Sequence, residues 1–388
     1  MKTSFKYAVI GCGVIGSSAI YWLARAAGDE VVGFECYSLG HDKGASGDHS
    51  RIIRLSYHSP EYTALTPHTY DTWGEVEAES GVQLVVRCGG VDLTPVEEPH
   101  LVDDYAAAMS GAGIPFEDWT GSDTMRRFPQ FTLDPACRVL YQEQSGLLDP
   151  RKAIHTQVAL ARGRGATVLD NTPVLRLVPD AGGFRIVTDA SEFTAETVIV
   201  SADAWTNDVL RETGVHFPLM VTEEQVTYFA TPNLRDFMPD RFPIWIAHGQ
   251  ESFYGFPVYG EVATKAGLDI GGDEVTVDTR AWQPNPRPYD KLVGYLERTI
   301  PGSIGPVLFT RTCLYTMPPD RNFIIDRVPE HPNVIVLQGA AHGAKFGCVI
   351  GKIASQLATT GETDYPISAF GATRPALSDP SFERQFAI

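Results

Sequence analysis

This chain is poor in basic charge: 31 Lys and Arg stand against 48 Asp and Glu, a formal net charge of −17, and no basic run occurs. A protein that grips nucleic acid needs a Lys/Arg face to displace counterions, so no nucleic-acid partner is expected. The acidic excess serves solubility, and any anion site must be made by a few local cations. Cysteine is also scarce, with six residues at 12, 36, 88, 137, 313 and 348 and no C-x-x-C pair. That spacing argues against a disulfide framework or a zinc site, and the ten histidines show no ligand spacing either. No uninterrupted apolar stretch is long enough to span a bilayer, and Met1 runs into a strand without a charged leader. The expectation is a cytoplasmic protein with reduced thiols and no membrane or metal.

What remains is ample. At 388 residues and 43% hydrophobic, the chain suits two interleaved domains that enclose a cofactor. Tyr7-Ala8-Val9-Ile10 is a β-prone run that enters Gly11-Cys12-Gly13-Val14-Ile15-Gly16. A stretch with helical spacing follows and ends near Gly28; Val31-Val32-Gly33-Phe34 then reads as a second strand, ending in Glu35. Strand, glycine turn, helix, strand and acid form a dinucleotide-binding pattern. Gly11 permits the tight turn, Gly13 lets backbone approach a pyrophosphate, and Gly16 allows close helix packing. The helix start, at Val14 and Ile15, presents free N–H groups to phosphate, and Glu35 accepts from the ribose hydroxyls. The pattern alone does not separate FAD from NAD; its N-terminal position leans to FAD.

After Glu35 comes Gly40-His41-Asp42-Lys43-Gly44-Ala45-Ser46-Gly47-Asp48-His49-Ser50-Arg51-Ile52-Ile53-Arg54. This resembles the segment that runs under the flavin in monomeric sarcosine oxidase, N-methyltryptophan oxidase, pipecolate oxidase and fructosyl amino acid oxidases. The resemblance continues in order through Leu148-Asp149-Pro150-Arg151, Ala202-Asp203-Ala204-Trp205-Thr206, Tyr254-Gly255-Phe256-Pro257 before Lys265, Cys313-Leu314-Tyr315-Thr316, Phe323-Ile324-Ile325-Asp326, His342-Gly343-Ala344-Lys345-Phe346 and Arg374-Pro375-Ala376-Leu377. It covers nearly the whole chain.

The resemblance implies an α/β fold: a Rossmann-type FAD-binding domain interleaved with an α+β substrate domain that holds a large, mostly antiparallel sheet. The expected cofactor domain is 1–80, 150–215 and 315–388, and the substrate domain is 81–149 and 216–314. A stretch rich in aromatic and β-branched residues near 217–272 suits the sheet, and a helix near Gly347 to Thr359 would point its N-terminus at the flavin ring. The implied activity is FAD-dependent oxidation of a secondary-amine amino acid to an imine, with O2 reduced to H2O2, in a monomer. A glycated (Amadori) substrate, a cyclic imino acid and an electron acceptor other than oxygen are the alternatives.

Site residues follow from the same resemblance. Cys313 matches the cysteine that bonds the flavin, with Cys348 as competitor. Ser46 and Gly343 lie in flavin-facing motifs, and Arg51 is expected beside the flavin or its phosphates. Arg54 and Lys345 match the carboxylate anchors, since a buried carboxylate needs cations and donors. Lys265 matches the lysine that assists oxygen activation by stabilising superoxide. Tyr254 is expected to line the substrate pocket and Tyr315 to pack beside the cysteine linkage. Two departures stand out: Ser46-Gly47 replaces a His-His pair, and Asp269 replaces the histidine four residues after the lysine. Asp269 is open to three readings: binding sugar hydroxyls with help from Arg374, binding a substrate ammonium, or pairing with Lys265.

Overall fold

In a computed structural model, residues 2–385 are described. Strand β1 (Ser4–Ile10), helix α1 (Val14–Ala27) and strand β2 (Val31–Phe34) form the N-terminal unit read from the sequence. β1 lies inside an eight-stranded sheet, parallel to β2 on one side and to Glu192–Val200 on the other; Thr167–Leu169 continues beyond β2, and His331–Gln338 runs parallel to Glu192–Val200. Strands buried on both faces should read as continuous apolar runs, and Val198-Ile199-Val200 and Val334-Ile335-Val336-Leu337 do. Tyr7 and Val9 pack on one face against α1, Pro150–Gly163 and Gly347–Thr360; Ala8 and Ile10 face Leu177, Phe184, Ile186 and Phe193. Pro150–Gly163 starts where Asp149 accepts a hydrogen bond from the Lys152 N–H at 2.9 Å, with proline at the first helical position.

The second sheet has nine strands and is antiparallel apart from the pairing of Ile244–Ala247 with Gly90–Leu93. Its organisation rests on the two-residue period of a strand. Along Thr264–Asp269, Ala266 and Leu268 pack on the helix Pro286–Thr299, so Lys265 and Asp269 face the other way. The same alternation sends Trp245 and Ala247 to the helix and Ile246 to the opposite face, and separates Val91 and Leu93 from Asp92. One face is thus a plain core, and the other carries the polar chemistry. The strand Val307–Met317, paired along Met220–Phe229, brings Cys313 opposite Glu224 and runs unbroken through position 315, where the sequence reading put a domain edge. A small sheet of Arg51–Ile53, Gly146–Leu148 and Val85–Arg87 lies apart from both. The α/β architecture with a large, mostly antiparallel second sheet agrees with the expectation.

Candidate active site

A cavity of about 660 Å³ runs from the glycine turn to the polar face of the second sheet. At its N-terminal end the three glycines have separate geometric reasons. Gly11 sits at φ +90°, and a Cβ there would lie 2.3 Å from the Ser201 carbonyl oxygen. A Cβ on Gly16 would lie 1.9 Å from the Gly11 carbonyl oxygen. Gly13 opens to the cavity, where a Cβ would meet only the Ser46 hydroxyl at 2.8 Å. No side chain at Gly13 caps α1; Ser46 Oγ accepts from the Val14 N–H at 3.1 Å. Glu35 is buried and accepts from the N–H groups of Cys12 (2.9 Å) and Tyr37 (3.1 Å) and faces His41 Nε2 at 3.2 Å. Burial alone would raise its pKa, but His41 and these N–H groups hold the carboxyl below its ordinary value. Val174 and Leu175 add an apolar wall beyond it. A helix start that opens on the cavity, a backbone left bare by glycine, a buried carboxylate and an apolar wall together fit the ADP half of FAD.

The middle of the cavity holds a buried ion cluster. Lys265 Nζ lies 2.7 Å from Asp48 Oδ2 and donates to the Ser50 carbonyl at 2.8 Å. Asp48 also accepts from the Tyr228 hydroxyl, and Arg51 stands 3.6 Å away. Arg51 spends its donors on the carbonyls of Ala45 (2.8 Å) and Gly47 (2.7 Å), which stiffens the loop. Burial pushes the Lys265 ammonium down to about 8, against the upward pull of Asp48. Asp48 is driven well below the carboxylate range: burial opposes this, and Lys265 and Arg51 overcome it. Cys313 lines the same region, its thiol pushed up to about 11 by burial while Arg51 pulls the other way. Cys348 does not line the cavity; it is buried beside the Thr72 carbonyl.

At the far end, Arg54 is 6% exposed and donates to Asp92 Oδ1 at 2.7 Å. Asp92 also accepts from Ser56 (2.9 Å) and His248 (2.9 Å). Burial would raise its pKa, and Arg54 and His248 hold it below normal. Lys345 is equally deep, at 7% exposure, yet among the described residues no carboxylate pairs with it. Its Nζ donates to Tyr57 Oη at 2.8 Å and to the His342 carbonyl at 3.0 Å. The chain continues in one direction: His342 Nε2 lies 3.1 Å from the Arg321 carbonyl and must donate there, so its Nδ1 accepts from the Tyr57 hydroxyl, also at 3.1 Å. Burial, with Lys345 and Arg321 nearby, keeps His342 neutral. Tyr254 and Tyr315 meet at their hydroxyls, 3.4 Å apart, inside the cavity.

The candidate residues from the sequence therefore meet in one cavity, except Gly16, whose place is against the turn, and the secondary candidates Cys348 and Arg374. Two readings are corrected. Asp269 does not pair with Lys265, which has taken Asp48; it forms a two-bond pair with Arg321, both at 2.9 Å. Arg374 does not reach the cavity, because Asp320 holds it at 2.6 and 2.9 Å. Asp48, Tyr57, Asp92, Arg321 and His342 were missed as site residues. Four non-glycine residues with positive φ (Asp48, Asp203, Arg321 and Ala341) line this cavity, a concentration of backbone strain typical of functional sites. Among the described residues there is no group of three potential metal ligands, and no helix is long and apolar enough to cross a membrane.

The chain belongs to the FAD dependent oxidoreductase family, whose model matches residues 6–357. It is 30% identical to monomeric sarcosine oxidase of Bacillus sp. (strain B-0618) over 384 residues, 98% of each chain. It is 28% identical to N-methyl-L-tryptophan oxidase of Escherichia coli O139:H28 over 379 residues, covering 94% of this chain and 98% of that one. Among solved structures, NikD in its open form, an unusual amino acid oxidase essential for nikkomycin biosynthesis, superposes with a TM-score of 0.83 at 25% identity, covering 95% of this chain and 98% of that one. The family resemblance read from the motifs is thereby upheld.

Proposed function

We propose that this protein oxidises a small secondary-amine amino acid of the N-methyl class, with O2 as electron acceptor. FAD, when bound, supplies the redox chemistry: two electrons leave the substrate's C–H bond and pass to O2, giving an imine that hydrolyses and H2O2. The remaining roles belong to this chain. Glu35 holds the ribose and the start of α1 the pyrophosphate. Cys313 Sγ is the atom of covalent attachment, since Cys313 lines the cavity and Cys348 does not. Lys345 and Arg54 dock the substrate carboxylate, Tyr254 lines the pocket, and Asp48 holds Lys265 where its charge assists oxygen reduction. The cofactor unit is read as 1–80, 150–215 and 315–388, in a monomer.

One observation carries this reading: Lys345 is buried with two neutral hydrogen-bond partners and, among the described residues, no carboxylate within ion-pair distance, so that burial, with Arg54 and Arg321 nearby, pushes its ammonium well below the ordinary lysine value in the same cavity as the glycine cradle. Burial disfavours the ammonium form by several kcal/mol, and a substrate carboxylate docked there offsets that cost and restores the charge. Arg54 and Arg321 each have a carboxylate, Asp92 and Asp269, so Lys345 is the group left to take up a proton together with an incoming substrate carboxylate. The test is a peroxide-coupled screen of N-methyl, cyclic and glycated amino acids with the purified yellow protein. Turnover of an N-methyl amino acid with stoichiometric H2O2 supports the reading. Flavin reduction without H2O2 would show a different acceptor, and inertness toward every amine would overturn the assignment.

A further inference from the structure

Arg321 is among the largest fully buried side chains in the protein, and it lines the substrate end of the cavity. Its Nη1 and Nη2 grip Asp269 Oδ2 and Oδ1 in a planar fork, both at 2.9 Å. Both residues line the cavity, and Asp269 keeps 23% of its side chain exposed against 2% for Arg321, so the carboxylate is the more accessible half of the pair. Backbone irregularities lock both partners: Arg321 has φ 50°, and Ile270, next to Asp269, has φ 52°.

We propose that Arg321 is a positioning residue that cancels the charge of Asp269, so that Asp269 orients the substrate amine as a hydrogen-bond acceptor without stabilising its ammonium form. The inference rests on the oxidase reading above. A bare carboxylate beside the amine would favour the protonated state, whose nitrogen has no lone pair to assist C–H oxidation. Paired with Arg321, the same oxygens accept an N–H while the local field stays near neutral, and the amine leaves its proton in solvent as it binds. The other groups that act on Asp269 are Lys345, Glu224, Tyr57, Tyr254 and Tyr315. The three phenols are pushed above their ordinary pKa by burial and stay neutral, Glu224 is held by the Gly271 and Gly272 N–H groups, burial depresses the Lys345 ammonium, and Arg321 is the charged group bonded directly to both Asp269 oxygens.

Two readouts test this on the flavin-loaded enzyme. In the first, flavin reduction by sarcosine is followed anaerobically across pH. Arg321→Met is expected to move the pH midpoint up by one unit or more, Asp269→Asn to move it down, and the double variant to return it toward wild type. In the second, methoxyacetate and trimethylglycine are titrated by flavin absorbance. The two share a carboxylate and differ in charge at the amine position. Arg321→Met is expected to improve trimethylglycine relative to methoxyacetate at least tenfold, and Asp269→Asn to do the reverse. A midpoint and an affinity ratio that stay put in all variants would overturn the proposal and leave the pair a structural clasp. If no N-methyl amino acid reduces the flavin, the oxidase reading fails, and the affinity ratio alone decides the role of Arg321.

Discussion

Replacing Asp48 with Asn tests the central ion cluster. The carboxylate lies 2.7 Å from Lys265 Nζ, and burial already pulls that ammonium down to about 8. A unit charge pair about 4 Å apart at an effective dielectric of about 20 interacts by roughly 4 kcal/mol, or about three pKa units. If about two of those units survive local relaxation, Lys265 in Asp48→Asn titrates near about 6. At pH 7.5 its charged fraction then falls from roughly three-quarters to about 3%, a drop of about 25-fold. Superoxide is stabilised by the ammonium and not by the amine, so flavin reoxidation should slow by a similar factor. The assay reduces the flavin anaerobically with dithionite, mixes it with O2 and follows flavin absorbance, so it needs no substrate. In wild type the rate should decline as pH rises through about 8, where the ammonium is lost. In Asp48→Asn the decline should move down by about two units, with the rate recovering near pH 5.5. Lys265→Met should be slow and flat throughout. Unchanged reoxidation of Asp48→Asn at pH 7.5, or a loss that acid does not recover, would refute the reasoning.

Other outcomes follow from the same geometry. Cys313→Ser should release its flavin into the supernatant on acid precipitation, whereas Cys348→Ser should keep the flavin on the pellet; the reverse pattern would move the attachment site. Arg54→Ala leaves buried Asp92 with Ser56 and His248 alone and should cost about 3 kcal/mol in urea unfolding, with Arg54→Lys recovering part of it; a loss under about 1 kcal/mol would mean the ion pair adds little to the fold. Gly16→Ala forces a Cβ to within 1.9 Å of the Gly11 carbonyl oxygen, and the flavin content of the purified protein should fall steeply; full occupancy would show that α1 can move aside.

What could be read from the sequence was whatever local pattern encodes. β1, the glycine turn, α1, β2 and Glu35 lie within one stretch, each specified by propensity or by steric need. Lys265 and Asp269 also share a face by simple alternation along one strand. Partners were a different matter. Arg54 meets Asp92 from 38 residues away, and Arg321 meets Asp269 across 52, with no spacing rule to connect them. Asp48 looked like one more polar residue in a Gly/Ser/His stretch until the fold set Lys265 beside it. Pairing Asp269 with Lys265 was reasonable in sequence and failed because a closer carboxylate had arrived from another element. Arg321 carried no such signal: Pro318-Pro319-Asp320-Arg321-Asn322 reads as an exposed polar turn, and only the fold buries the arginine.

The helix Gly347–Thr360 crosses α1 so closely that a Cβ on Gly351 would lie 2.5 Å from Ser18. The face of α1 turned to that helix is therefore covered only by a segment made much later in the chain. His331–Gln338, which completes the parallel sheet beside Glu192–Val200, arrives equally late. Before then the glycine cradle has only part of its surroundings, from β2, Pro150–Gly163 and Glu192–Val200. Closure depends on contacts between distant segments, which form slowly because long loops must close first. Cofactor capture thus belongs after translation, and a chain stopped short of residue 347 would carry the nucleotide signature without the means to close it.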